Sequence, residues 1–140
     1  MSAFAYLPDF FTDPSQRLIR AWQENGGERD AEALGVTLEL LWYAADKAWV
    51  QNVEARVAGR GAGTATFRAL GELADAHGVT LLLYAKPFGR DPMDLAELVA
   101  FYRRVGFQSD DGVISPHTEY DFDGQAMRRP VVAPEHAPRR

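Results

Sequence analysis

The run Val79-Thr80-Leu81-Leu82-Leu83-Tyr84 constrains the fold more than any other stretch of this chain. A near-continuous apolar strand is buried on both faces, so the sheet that contains it must be covered by other layers. Helical periodicity stands on either side of it. Before it, Phe67, Leu70, Leu73, Ala74 and His77 lie along one side of a helix that Gly78 ends. After it, Leu95, Leu98, Val99 and Tyr102 share one face of a helix that ends near Gly106. A buried strand between two amphipathic helices is the pattern of a mixed α/β domain.

The remaining elements follow from local signals. Asp13-Pro14 opens a helix, because Asp accepts from unpaired amides at the cap and Pro is tolerated in the first helical position. Leu18, Ile19 and Trp22 continue it, and Asn25-Gly26-Gly27 stops it. Residues 28–35 read either as a connector or as a short second helix. Residues 36–44 and 48–57 read as strands joined by a turn at Ala45-Asp46-Lys47. In the second strand Trp49, Val53, Ala55 and Val57 share one parity, while Asn52, Glu54 and Arg56 share the other, which predicts an antiparallel hairpin with one packed face. Phe107 to Val132 reads as a last strand pair with a turn at Asp123-Gly124. The only candidate for a strand ahead of the first helix is AFAYL, residues 3–7. The expected architecture is one α/β (α+β) domain over residues 1–132, a single mixed and mostly antiparallel sheet flanked by helices. Residues 133–140, rich in proline and charge, read as a flexible tail.

Composition narrows the chemistry. A chain of 140 residues can bury a core without staples, and it has no cysteine, which excludes disulfides, zinc–thiolate sites and thiol nucleophiles. A formal net charge of −5 argues against broad nucleic-acid binding by counterion release. No apolar run is long enough to span a bilayer and no targeting pattern opens the chain, so no membrane partner and a cytoplasmic location are expected. The acidic stretch HTEYDFDG, His117 to Gly124, lacks a calcium-loop pattern: counting from Glu119, the twelfth position is Pro130 rather than Glu. No metal site is expected, and no Ser/His/Asp arrangement is legible.

The stretch Gly59-Arg60-Gly61-Ala62-Gly63-Thr64 lies between a strand and a helix start, where unpaired amides and the helix dipole favour an anion. A structural role, a tight strand-to-helix turn, is the alternative reading of these glycines. A P-loop needs Gly-Lys-Ser/Thr, and Gly63 is followed by Thr64 and Ala65. The dinucleotide fingerprint fails because position 66 is Thr, and because the preceding strand reads as part of an antiparallel hairpin rather than a βαβ unit.

Arg60-Gly61-Ala62-Gly63-Thr64-Ala65 before an amphipathic helix resembles the R-G-x-G-x-A segment of the GNAT superfamily of N-acyltransferases. Ala100 to Phe107, AFYRRVGF, resembles that superfamily's A-x-x-FY-x-x-x-GF helix ending, and Met127 to Pro130 is similar to its closing strand. The similarity spans roughly residues 36–130 and is to a reduced member, of viral or mobile-element type. It implies an acyl-CoA-dependent N-acyltransferase with acetyl-CoA as the default cosubstrate and a small-molecule or protein amine as acceptor. It places the CoA pyrophosphate at Val57, Arg60, Gly61, Ala62, Gly63 and Thr64. It also assigns Tyr102 as the acid that protonates the departing thiolate, and Glu54 is a candidate base for the amine. A core tyrosine and an exposed strand glutamate are the structural alternatives for these two. Ala58 stands where the family usually has Gln or Arg, and Leu95 where it often has Asn. These departures motivate a second reading, a catalytically inactive binding or inhibitory module acting through a protein partner. A homodimer paired through the C-terminal strand is compatible with either.

Overall fold

The computed structural model describes residues 12–24, 26–55, 61–86, 94–113 and 124–132; the side chains of Asn52, Glu54 and Ala55 lie outside that description. Among the described residues, four helices and five strands follow one another as α1 (Pro14–Glu24), α2 (Gly27–Ala33), β1 (Val36–Ala44), β2 (Lys47–Ala55), α3 (Ala62–His77), β3 (Thr80–Ala85), α4 (Leu95–Arg104), β4 (Gln108–Ser109) and β5 (Gln125–Arg129). The strands form one sheet in the order β1-β2-β3-β5-β4. All pairs are antiparallel except β2 with β3. This is the mixed, mostly antiparallel sheet expected from the pattern. AFAYL, HTEYDFDG and the segment after Val132 lie outside the described residues.

The start of α1 is built as the sequence predicts. Asp13 Oδ1 accepts from the Gln16 amide at 2.8 Å, and Gln16 Oε1 accepts from the Asp13 amide at 2.9 Å. This reciprocal cap opens α1. Ser15 then ties α1 to the β1–β2 turn: its amide donates to the Ala45 carbonyl and its Oγ to the Lys47 carbonyl. Asp94 and Glu97 form the same kind of box at the start of α4. The ambiguous stretch after Gly27 is the short helix α2. Gly27 is required there because a Cβ would come within 2.3 Å of the Trp22 ring.

The main core lies between the helices and one face of the sheet. Val36, Leu38 and Leu40 of β1, Ala48 and Val50 of β2, and Leu81 and Leu83 of β3 meet Leu18, Phe67, Leu70 and Ala74 of α1 and α3. Leu82, on the opposite face, is 2% exposed, so β3 is buried on both sides.

The hairpin differs from its expected pattern in two ways. Trp49 was grouped with Val53 on one face, yet Val50 and Val53 both pack toward the core. The ladder explains this: two steps from Thr37 to Glu39 on β1 oppose three steps from Gln51 to Glu54 on β2. One extra residue on β2 makes a bulge and reverses the parity beyond it. Second, the expectation that β2 lies outside a βαβ unit is wrong. β2 pairs with β1 on one edge and with β3, in parallel, on the other, so β2-α3-β3 is a parallel crossover. The period-2 pattern reports which faces are buried and carries no information about the second edge of a strand.

Candidate functional site

The site is built where β2 and β3 stop pairing. Their parallel ladder runs only from Lys47–Trp49 to Thr80–Leu82, although β2 continues to Ala55 and β3 to Ala85. The bulge on β2 lies just beyond the last paired residue. The result is a gap in the ladder at the end of the sheet where β2 leads to α3 and β3 leads to α4. Both helices therefore present their N-termini at that end.

At the start of α3, Gly61 is the cap residue and adopts a left-handed conformation with φ of +75°. A Cβ there would meet nothing within 4 Å among the described residues, so the turn, not crowding, requires glycine. The Ala65 amide donates to the Gly61 carbonyl at 3.0 Å, the opening bond of the helix. The amides of Ala62, Gly63 and Thr64 precede it and have no intrahelical acceptor. Glycine offers no side-chain cap to satisfy them. Three amides at the positive end of a sixteen-residue helix are suited to an anion.

Gly63 answers to a different constraint. A Cβ at this position would come within 3.1 Å of Phe101 Cζ on α4. The start of α3 and Phe101 of α4 are thus packed against each other at Gly63. Phe67, one turn further along α3, lies 6.0 Å from the Phe101 ring and 5.4 Å from the Tyr102 ring, edge to face in both cases. Phe107 closes the cluster at 5.6 Å from Tyr102. Tyr102 is 6% exposed, and burial pushes the pKa of its phenol up. The hydroxyl stays protonated throughout the physiological range and is a proton donor only.

The expected site residues divide accordingly. Gly61 to Thr64 form the start of α3, where Gly63 meets Phe101 of α4, while Tyr102 is buried in the core against Phe67, Phe101 and Phe107. Glu54 lies on the last turn of the ladder, its backbone opposite Thr37, at the strand end that leads toward Gly61. Its side chain lies outside the description, as do Val57, Ala58, Gly59 and Arg60 and the loop over residues 87–93. Phe101 and the β2 bulge are the features that sequence reasoning missed. Phe101 falls beside the Leu95/Leu98/Val99/Tyr102 stripe, and nothing in its spacing marks it as the partner of Gly63.

No protein-family model and no curated protein matches the chain. Solved structures do. The anti-CRISPR protein AcrVA5 superposes with a TM-score of 0.52 at 21% identity, over 67% of this chain and 88% of that one. Ard1 from Thermoplasma volcanium gives 0.53 at 16% identity, over 85% and 92%. A Klebsiella pneumoniae protein described as an acyl-CoA N-acyltransferase gives 0.53 at 18% identity, over 69% of this chain and 63% of that one. The chain has the α/β fold of the GNAT-type N-acyltransferases.

Proposed function

We propose that this chain is an acyl-CoA-dependent N-acyltransferase that uses acetyl-CoA as donor and an amine as acceptor. The observation that supports it most is the uncapped, glycine-led N-terminus of α3 packed on Phe101, at the end of the sheet where the β2–β3 ladder stops. The bound thioester supplies an activated acyl carbon. The amides of Ala62, Gly63 and Thr64 hold the pyrophosphate, with Arg60 adding a charge-assisted contact and Val57 its backbone. Glu54 takes a proton from the attacking amine, directly or through water. As the new C–N bond forms and the C–S bond breaks, Tyr102 donates its phenolic proton to the departing sulfur. The proton released by the amine restores the phenol, so the products are an amide and the free CoA thiol.

The absence of cysteine makes thiol release a clean assay. With acetyl-CoA and a panel of primary amines, the wild-type chain should release thiol. Tyr102→Phe should lower kcat by about 100-fold and leave the KM for acetyl-CoA unchanged, the range expected for loss of one general acid. Equal turnover in Tyr102→Phe would remove the hydroxyl from the mechanism. CoA binding with no thiol release for any amine would favour the inactive binding module.

A further inference from the structure

Arg103 and Arg104 share the last turn of α4, yet their surroundings differ. Arg103 reaches β4, where its Nη2 approaches Ser109 Oγ at 3.4 Å. Arg104 turns back along the helix, and its Cζ lies over the Phe101 ring, 5.9 Å from the centroid. The residue is exposed, and among the described residues no carboxylate pairs with its guanidinium. The same ring presents its Cζ to Gly63, where a Cβ would come within 3.1 Å of it. One aromatic ring therefore separates this cation from the first turn of α3, whose leading amides have no intrahelical acceptor. A cation in the last turn of α4 also suits the helix dipole, a role that needs no ligand. Arg103 is as well placed for that role and fills it without a ring beneath its guanidinium.

We infer that Arg104, held on Phe101, binds the 3′-phosphate of the CoA ribose and so selects CoA over its 3′-dephosphorylated form. The inference rests on the acyl-CoA reading and adds a specificity-determining residue to it. The formal net charge of −5 works against a polyanionic ligand at long range, so affinity depends on donors and cations placed at the site itself. The start of α3 suits the pyrophosphate. The ligand's other phosphate sits on the adenosine ribose, beyond the pyrophosphate, and needs a cation set to one side of the helix end. Arg104 has that displacement, on the α4 side of Gly63. A guanidinium can stack on an aromatic face and pair with a phosphate through parallel N–H donors, so the ring orients the fork without consuming its donors. A side chain already resting on the ring also loses less freedom when the phosphate arrives.

The test is calorimetric titration of the full chain with CoA and, separately, with 3′-dephospho-CoA. The wild-type chain should bind dephospho-CoA about tenfold more weakly, the scale of one charge-assisted contact, and added salt should narrow the difference. Arg104→Gln, checked for an unchanged thermal midpoint, should bind CoA no better than dephospho-CoA while keeping the wild-type affinity for dephospho-CoA. Arg104→Lys should keep part of the preference, because it retains the charge and loses the planar fork. A purely structural or dipole role for Arg104 would move the thermal midpoint and leave the preference between the two ligands intact. Equal binding of the two ligands by the wild-type chain would overturn the inference and leave the acyl-CoA reading standing. So would an undiminished preference in Arg104→Gln, or an equal loss of affinity for both ligands in that variant. Binding of neither ligand by the wild-type chain at millimolar concentration would overturn the acyl-CoA reading and this inference with it.

Discussion

Two glycines two positions apart carry different loads at the start of α3. Gly61 holds φ at +75° in open space, a conformation that costs an ordinary L-residue roughly 1–2 kcal/mol. Gly63 has helical backbone and yields its Cβ space to Phe101. Gly61→Ala should therefore lower stability by roughly 1–2 kcal/mol, and Gly61→Asn by less, because Asn tolerates the left-handed region. Gly63→Ala should cost about 1 kcal/mol through displacement of the Phe101 ring. Urea denaturation distinguishes these. An unchanged midpoint in Gly61→Ala, with weakened CoA binding, would show that the glycine serves ligand approach alone. Tyr102 is likewise decided by surroundings that the sequence hides: its place in the stripe was legible, its ring contacts with Phe67 and Phe107 were not.

At the end of the sheet away from the candidate site, Arg129 ties β5 to α3. Arg129 on β5 reaches across to α3, where its Nη1 and Nη2 donate to Asp75 at 2.8 and 3.1 Å. The Val132 amide donates to the same carboxylate at 2.9 Å. The guanidinium fills the space over Gly71 and Gly106, where a Cβ would come within 2.8 and 3.1 Å of it. Burial works to raise the Asp75 pKa, and the Arg129 hydrogen bonds, the Val132 amide and the Arg129 charge outweigh it, so the net shift is downward. A depressed carboxylate pKa stabilises the fold above the unfolded value near 4, and that contribution disappears as pH falls through the folded value. Wild-type chain should accordingly lose stability below about pH 4 faster than Asp75→Asn, which should be weaker by roughly 2 kcal/mol at pH 7. Parallel pH profiles for the two proteins would contradict this role.

At the same scale, the elements were legible where chemistry is local. The Asp13-Pro14 start, the Gly78 stop and the doubly buried Leu81–Leu83 run all follow from one stretch of chain. The β2 bulge and the parallel β2–β3 ladder were not, because each depends on a partner strand far away in sequence. The Arg129–Asp75 pair, 54 positions apart, belongs with them.

For the molecule as a whole, the candidate site lies where independent elements end together. The N-termini of α3 and α4, the bulged end of β2 and the unpaired end of the β2–β3 ladder converge on one side of the sheet. Sequence reading reached this site through the glycine turn and the AFYRRVGF helix, which carry recognisable local signatures. It gave no acceptor, because acceptor specificity generally lies in loops, whose chemistry has no fixed spacing. Among the described residues no helix is long and apolar enough to cross a membrane.

The central claim is that the uncapped start of α3 is a pyrophosphate site facing the gap between β2 and β3. Isothermal titration of the full chain with CoA, beside the same titration with dephosphorylated pantetheine, tests it most directly. The account predicts one site per chain for CoA and at least tenfold weaker binding of pantetheine, which lacks the pyrophosphate the amides would hold. No heat of binding at millimolar CoA, or equal affinity for the two ligands, would contradict it.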